Sequence, residues 1–356
     1  MDLKFFEKLT NLPGVSGREK YVREFMREEI SKLTDEIVQD NLGSIMGVSK
    51  GKGPVIMIAG HMDEVGAIVT GIKDNGFIQV KSIGGIDGNV FLSQNMRIIT
   101  DEGKEIRGVF GSTPPHIGRG LDQGSQKLEV DDMLLDIGAD SADHAKELGV
   151  KIGQQVVPVN DFYVTADGKK VVSKAWDNRL GCGVALEALK YAMSKEHPNT
   201  VYAGATVQEE VGLRGAITIS QMINPDLFIA IDCSPVGDFL DKNHPRSFGA
   251  LGKGFLLRFY DPRCIMHQGM KEFFIETAEK YNIPYQPFLS MGGTDAAAAQ
   301  LSNEGILSAT IGMPARYIHS TAGMIHVDDY DAVLEMVKKI IDIVDEKVLE
   351  EIKSNV

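Results

Sequence analysis

The sequence predicts an α/β fold, a sandwich domain on a mixed sheet that is interrupted by a small β-rich domain. Two observations carry this. Toward both ends of the chain, apolar runs bounded by turn residues alternate with stretches of helical periodicity. The runs at 55–59 and 227–231 are unbroken, as strands are when both faces of a mostly parallel sheet are covered. Between Gly66 and Thr165, by contrast, short β-like pieces are separated by glycine-rich turns such as Asp74-Asn75-Gly76.

Taken in order, Ser16 and Glu19 have the spacing of a capping box, and Val22, Phe25, Met26, Ile30 and Leu33 follow at helical intervals. Strands are expected at 36–39, 44–48 and 54–59. The insert is expected to hold strands at 67–70, 77–80, 97–100, 106–110, 133–137 and 155–157, with one helical stretch around 142–148. Beyond Val171 come a helix at 180–193, strands at 200–207, 226–231 and 255–260, a helix at 270–281, a strand at 306–311 and a closing helix at 328–352. Residues 1–65 and 166–356 are thus expected to form the main α/β domain, and residues 66–165 an inserted β-rich domain.

Composition narrows the function. The 356 residues suffice for one large and one small domain without disulfides or structural metals. A formal net charge of −13, with no Lys/Arg cluster against it, argues against nucleic acid and anionic membranes as partners. The N-terminus has no long apolar run, so neither a signal peptide nor a membrane span is expected. Cys182, Cys233 and Cys264 are odd in number and widely spaced, which fits free thiols and a cytoplasmic location.

The chemistry is suggested by where His, Asp and Glu fall. His61 and Asp63 follow the run ending at Ala59, and Glu209 and Glu210 the run ending near Val207. Asp232 follows Ile231, His319 lies beyond the run ending near Ile311, and Asp177 comes just after residues 171–173. Open α/β sheets gather ligands at the carboxyl ends of their strands, so residues spread over roughly 260 positions are expected at one edge. Two histidines with three or more carboxylates suit Zn²⁺, Co²⁺ or Mn²⁺. An Asp bridging two ions roughly 3.5–4 Å apart makes a site that acidifies water and polarises a carbonyl. Each piece also has a plainer reading. A lone His after a strand is usually a cap or a core residue, Asp63 ends a strand, Glu209-Glu210 is a solvated turn, and Asp177-Asn178 caps a helix. Asp232, directly after five apolar residues, resists such a reading. Joint placement at strand ends is what favours a metal centre.

At these residues the chain resembles the glutamyl and tetrahedral (TET) aminopeptidases. The resemblance rests on AGHMDEVGAIV (59–69), SKAWDNRLGCGV (173–184), VQEEVGLRGA (207–216), AIDCSP (230–235), GGTDAAAAQ (292–300) and ARYIHS (315–320), six motifs in order over essentially the whole chain. It implies a dinuclear metallo-aminopeptidase with two divalent ions, Zn²⁺ or Co²⁺. His61 and Asp232 would hold one ion and Glu210 and His319 the other, with Asp177 bridging. Glu209 would be the general base, and Asp63 would orient His61. The resemblance also implies a zinc-peptidase-like fold whose small β domain serves assembly, often as a tetrahedral dodecamer. The substrates would be peptides, with a preference for N-terminal Glu or Asp. A leucyl, broad-specificity or deblocking enzyme of the same family is the alternative.

Thr294 and Asp295 are candidate substrate-binding residues, or else the cap of the Ala-rich helix after them. His116 is first a residue of a rigid loop. Arg214, Arg263 and Arg316 are candidates for meeting an acidic side chain, and His144, His197, His244, His267 and His326 are expected to be structural or exposed. A glycoside hydrolase would need two carboxylates facing each other roughly 5–9.5 Å apart. Adjacent Glu209 and Glu210 are poorly placed for that, and 7% aromatic residues with a single Trp offer little sugar stacking. A non-catalytic scaffold would be expected to have lost a ligand or the base, and none is lost.

Overall fold

The computed structural model describes residues 1–112, 128–241, 243–244 and 248–355. Its strands are β1 (Ile37–Gln39), β2 (Ile45–Ser49), β3 (Val55–His61), β4 (Gly66–Ile72), β5 (Ile78–Ile83), β6 (Asn95–Ile99), β7 (Glu105–Phe110), β8 (Leu134–Asp136), β9 (Gln155–Pro158), β10 (Tyr163–Val164), β11 (Lys170–Ser173), β12 (Thr200–Thr206), β13 (Leu227–Pro235), β14 (Phe255–Tyr260), β15 (Tyr285–Leu289), β16 (Leu307–Arg316) and β17 (Gly323–His326). The apolar runs form the middle of a mixed sheet ordered β1-β2-β12-β3-β13-β16-β17-β11-β10, with β14 and β15 attached through β16. Its centre, β12-β3-β13-β16, is parallel. One core cluster unites these strands with the helices Lys20–Ser31, Trp176–Met193, Gln268–Tyr281 and Val327–Ile343.

Strands β4 to β9 close into a barrel in the order β4-β5-β8-β7-β6-β9. The barrel has its own core, in which Phe91 and Phe110 stack at 6.2 Å among Ile98, Leu135 and Val156.

Local sequence signals lost to long-range contacts in several places. The expected capping box does not form, because the helix Lys20–Ser31 begins without a side-chain cap. Ser16 donates to Asp63 instead, and Glu19 accepts from the main chain of Gly17 and Gln208. The expected closing helix is two helices, Val327–Ile343 and Glu346–Ser354. Extended Val344 breaks it, and Asp345 caps the second by accepting from the Val348 N–H at 2.8 Å. β13 continues past Ile231, so Asp232 lies within the strand rather than after it. Its pairing with β16 persists as far as Pro235 opposite Ala315. The helices Leu3–Asn11 and Arg214–Ile223 and the strands β15 and β17 were not anticipated.

Candidate metal centre

His61 is the last residue of β3, and Glu209 and Glu210 follow β12, the strand beside it. Asp232 sits in β13 on the other side of β3, and His319 follows β16. Asp177 opens the helix Trp176–Met193, where it and Asn178 depart from helical backbone. Two glycines let that helix start come close. A Cβ on Gly60 would meet the Gly181 carbonyl carbon at 2.3 Å, and one on Gly181 would meet the Ile231 oxygen at 2.3 Å. Asn178 fastens the approach, donating to the Ile231 oxygen and accepting from the Gly181 N–H.

All six side chains therefore meet. His61 Nε2 lies 3.1 Å from Asp177 Oδ1 and 3.8 Å from Asp232 Oδ1. His319 Nε2 lies 3.3 Å from both Asp177 Oδ2 and Glu210 Oε1. Donor atoms of His61, Asp177 and Asp232 fall within 4.8 Å of one another, as do those of Asp177, Glu210 and His319, so the two groups share Asp177. His61, Glu209 and Glu210 form a third such group. Asp177 Oδ1 and Glu210 Oε1 are buried and, although close to imidazole nitrogens, have no hydrogen-bond partner. Buried, unpartnered oxygens this close to other donor atoms fit residues that would hold cations.

The outer contacts set ring direction. His61 Nδ1 faces the Asp63 main-chain oxygen at 3.0 Å and Asp63 Oδ1 at 3.4 Å, and His319 Nδ1 donates to the Gly85 oxygen at 2.7 Å. Both leave Nε2 for a cation. Fully buried Asp63 accepts from Ser16 and from the main-chain N–H groups of Glu209 and Glu210. Ala175, Gln208, Leu213, Tyr317 and His319, all near this site, have positive φ.

Electrostatics agree with this picture. Burial opposes charge on His61, but Glu209, Asp177 and Asp63 outweigh it and hold its pKa well above the ordinary value. Burial likewise opposes charge on His319, yet Asp177 and Glu210 raise it to about 12. Burial pushes Glu209, Glu210 and Asp232 upward, with neighbouring carboxylates adding to the effect. The cluster keeps protons where cations would displace them.

A cavity of about 640 Å³ opens over the cluster, and Arg258, Arg263, Gly292 and Ile318 are among its lining residues. Thr294 and Asp295 do not line it. They are buried, with Thr294 against Thr310 and Asp295 accepting from Thr206. Of the candidate arginines only Arg263 lines this cavity. Arg214 bonds Gln208, and Arg316 is held by both oxygens of Asp238 at 2.7 Å. His267 and His326 cap helices, and His116 lies outside the described residues. Ser16, Glu19, Gly85 and Arg258 were missed. Only Ser16 and Glu19 had left a signal in the sequence, and it pointed to a helix cap.

A parallel-centred sandwich with this cluster at its carboxyl edge is a metallohydrolase. Residues 43–336 match the family model described as M42 glutamyl aminopeptidase. The glutamyl aminopeptidase of Lactococcus lactis is 40% identical over 99% of this chain and 100% of its own, and the lysyl aminopeptidase of Pyrococcus furiosus is 31% identical over 96% and 97%. Among solved structures, a TET aminopeptidase from a marine sediment thaumarchaeote superposes with a TM-score of 0.93 at 37% identity, covering 98% of this chain and 99% of its own. The Pyrococcus horikoshii TET1 peptidase, described as assembling into a tetrahedron or a large octahedral shell, gives 0.85 at 30% identity over 96% and 99%. The chain belongs to the M42 family and is a metallo-aminopeptidase.

Proposed function

We propose that this enzyme removes N-terminal residues from peptides with two divalent ions, Zn²⁺ or Co²⁺, and prefers Glu and Asp. The observation that carries the metal assignment is the pair of His/carboxylate groups joined at Asp177. His61 and Asp232 would hold one ion and Glu210 and His319 the other, with Asp177 shared by the two groups. Together the ions would acidify an attacking water and polarise the scissile carbonyl.

The chain's own residues do the rest. Glu209 lies at the cavity edge, its Oε2 3.9 Å from His61 Nε2, and its raised pKa suits a group that takes a proton and passes it on. It accepts the proton of the attacking water and delivers it to the departing amine. Asp63 fixes the His61 ring and, through the N–H groups of residues 209 and 210, separates base from ligand. Arg258 is paired with Asp261 at 3.2 Å, so Arg263 is the cavity-wall arginine that favours an acidic side chain and disfavours lysine.

The barrel is proposed to serve assembly into a tetrahedral dodecamer, a shell that would admit peptides and exclude folded proteins. No helix among the described residues is long and apolar enough to cross a membrane. Three free buried cysteines support a cytoplasmic location. Elemental analysis with a panel of Glu, Asp, Leu, Lys and Ala anilides tests this reading. Two ions per chain and fastest turnover of the glutamyl or aspartyl anilide are expected. Faster leucyl or lysyl turnover overturns the preference, and cleavage of cellulose but no anilide overturns the peptidase reading. Light scattering tests the assembly, and a monomer with full activity overturns it.

A further inference from the structure

Three successive main-chain N–H groups after β12 all donate to carboxylates. Gln208 gives its N–H to Glu19 Oε1 at 3.1 Å, Glu209 to Asp63 Oδ1 at 2.9 Å and Glu210 to Asp63 Oδ2 at 3.1 Å. Gln208 has φ 56, a left-handed turn that something must hold in a residue bearing a Cβ. Glu19 reaches it from the connection at 12–19, which is itself fixed. Buried Arg179 donates to the main-chain oxygens of Leu9, Leu12 and Gly14, and the Val15 N–H bonds Gln155 of the barrel. The same connection carries Ser16, whose hydroxyl bonds Asp63 at 2.7 Å. Glu19 is 5% exposed and makes no cap for the helix it precedes.

We propose that Glu19 is a positioning residue for the general base, holding the Gln208 turn and thereby setting where the Glu209 carboxylate stands. This rests on the reading of Glu209 as base. Burial, then the charge of Asp63, raises the Glu19 carboxyl to about 7. Near neutral pH it is only partly ionised, and its Oε1 accepts from both Gly17 and Gln208.

Two isolated changes separate reach from charge. Glu19→Gln keeps an acceptor at the same reach and removes the charge. Glu19→Asp keeps the charge and draws the acceptor back by one methylene. Both are assayed as full-length, Co²⁺-loaded enzyme with the fastest anilide of the panel, alongside cobalt content, visible absorption and thermal melting. Glu19→Gln is expected to hold kcat within about threefold, and Glu19→Asp to lower it about 10–100-fold with KM nearly unchanged. Two cobalt ions should remain in each variant. The visible band should move only in Glu19→Asp, because Glu210 shares the loop. An unchanged kcat in Glu19→Asp, equal losses in both variants, or a loss that tracks missing cobalt or unfolded protein overturns the proposal. If Glu209→Gln keeps its kcat, the base reading fails by itself, and the cobalt band still reports whether Glu19 places the loop.

Discussion

Strands β3 and β13 of the sandwich are buried almost end to end, whereas β5 and β7 of the barrel alternate buried and exposed residues. A strand packed on both faces has its end fixed by contacts from two layers, and that is where this chain places reactive side chains. These two barrel strands pack chiefly on one face. Among the described residues, its contribution to the metal cluster is an outer one, the main-chain oxygen of Gly85 just beyond β5, which orients His319. Chemistry and architecture are thus divided, and changes in the two regions should differ in kind.

The largest effect expected lies at the sandwich edge, where we propose different roles for the adjacent glutamates. Glu209→Gln should keep both metals and lower kcat about 10²–10⁴-fold with little change in KM. Glu210→Gln should lose metal, because a neutral amide replaces an anionic donor. Elemental analysis beside steady-state kinetics decides. Metal loss in Glu209→Gln, or near-normal kcat, reverses the roles.

Beneath that edge, Glu64 binds fully buried Lys174 with both oxygens, at 2.7 and 2.6 Å, and Arg179 at 3.2 Å. Glu64→Gln leaves two buried cations without their partner and should cost about 3–5 kcal/mol. Phe110→Ala in the barrel core should cost a similar amount, about 3–5 kcal/mol, by opening a cavity. The comparison predicts different consequences for turnover. Glu64→Gln should lower kcat in the protein that remains folded, since Arg179 and Lys174 anchor the connection carrying Ser16 and Glu19. Phe110→Ala should leave kcat near wild type. Unfolding curves with kinetics at low temperature test this, and equal kcat losses would break the proposed division.

What the sequence revealed follows the same divide. His61, Glu209, Glu210, Asp232 and His319 were legible because unbroken apolar runs mark buried strands and the polar residues beside their carboxyl ends stand out. Asp177 was picked out by its place after residues 171–173, against the plainer reading of a helix cap, and it does lie at a helix start. Ser16 and Glu19 were misread because their partners lie 47 and 189 residues away, and a local capping pattern says nothing of such distances. Gly85 acts through its backbone and left no side-chain signal, at a separation of 234 residues. Lys174, Glu64 and Arg179 were not singled out in the sequence, and the fold buries them together.

The smallest effect expected is a pH dependence that tells cation-filled from proton-filled sites. In the metal-stripped protein His61 and His319 have raised pKa values, so their stabilisation is complete below the ordinary histidine value of 6.5 and fades as pH rises toward the folded ones. Glu209, Glu210 and Asp232 are also raised, so the folded chain holds their protons more tightly than the unfolded chain. Their contribution likewise declines as pH climbs above the ordinary carboxylate range. Asp177 is lowered, and its stabilisation is lost only in acid well below neutrality. The two histidines therefore make the stripped protein less stable as pH rises above 6.5, and the three carboxylates as it rises above their ordinary range. Bound cations replace those protons and remove this slope, so metal should protect more at higher pH. The gap in Tm between loaded and chelated protein should widen as pH rises, by about 1–2 °C for each kcal/mol of added metal stabilisation. Barrel variants such as Phe110→Ala should lower both curves together and leave the gap's slope unchanged. A gap that stays constant or narrows with rising pH would mean that these side chains do not exchange protons for cations.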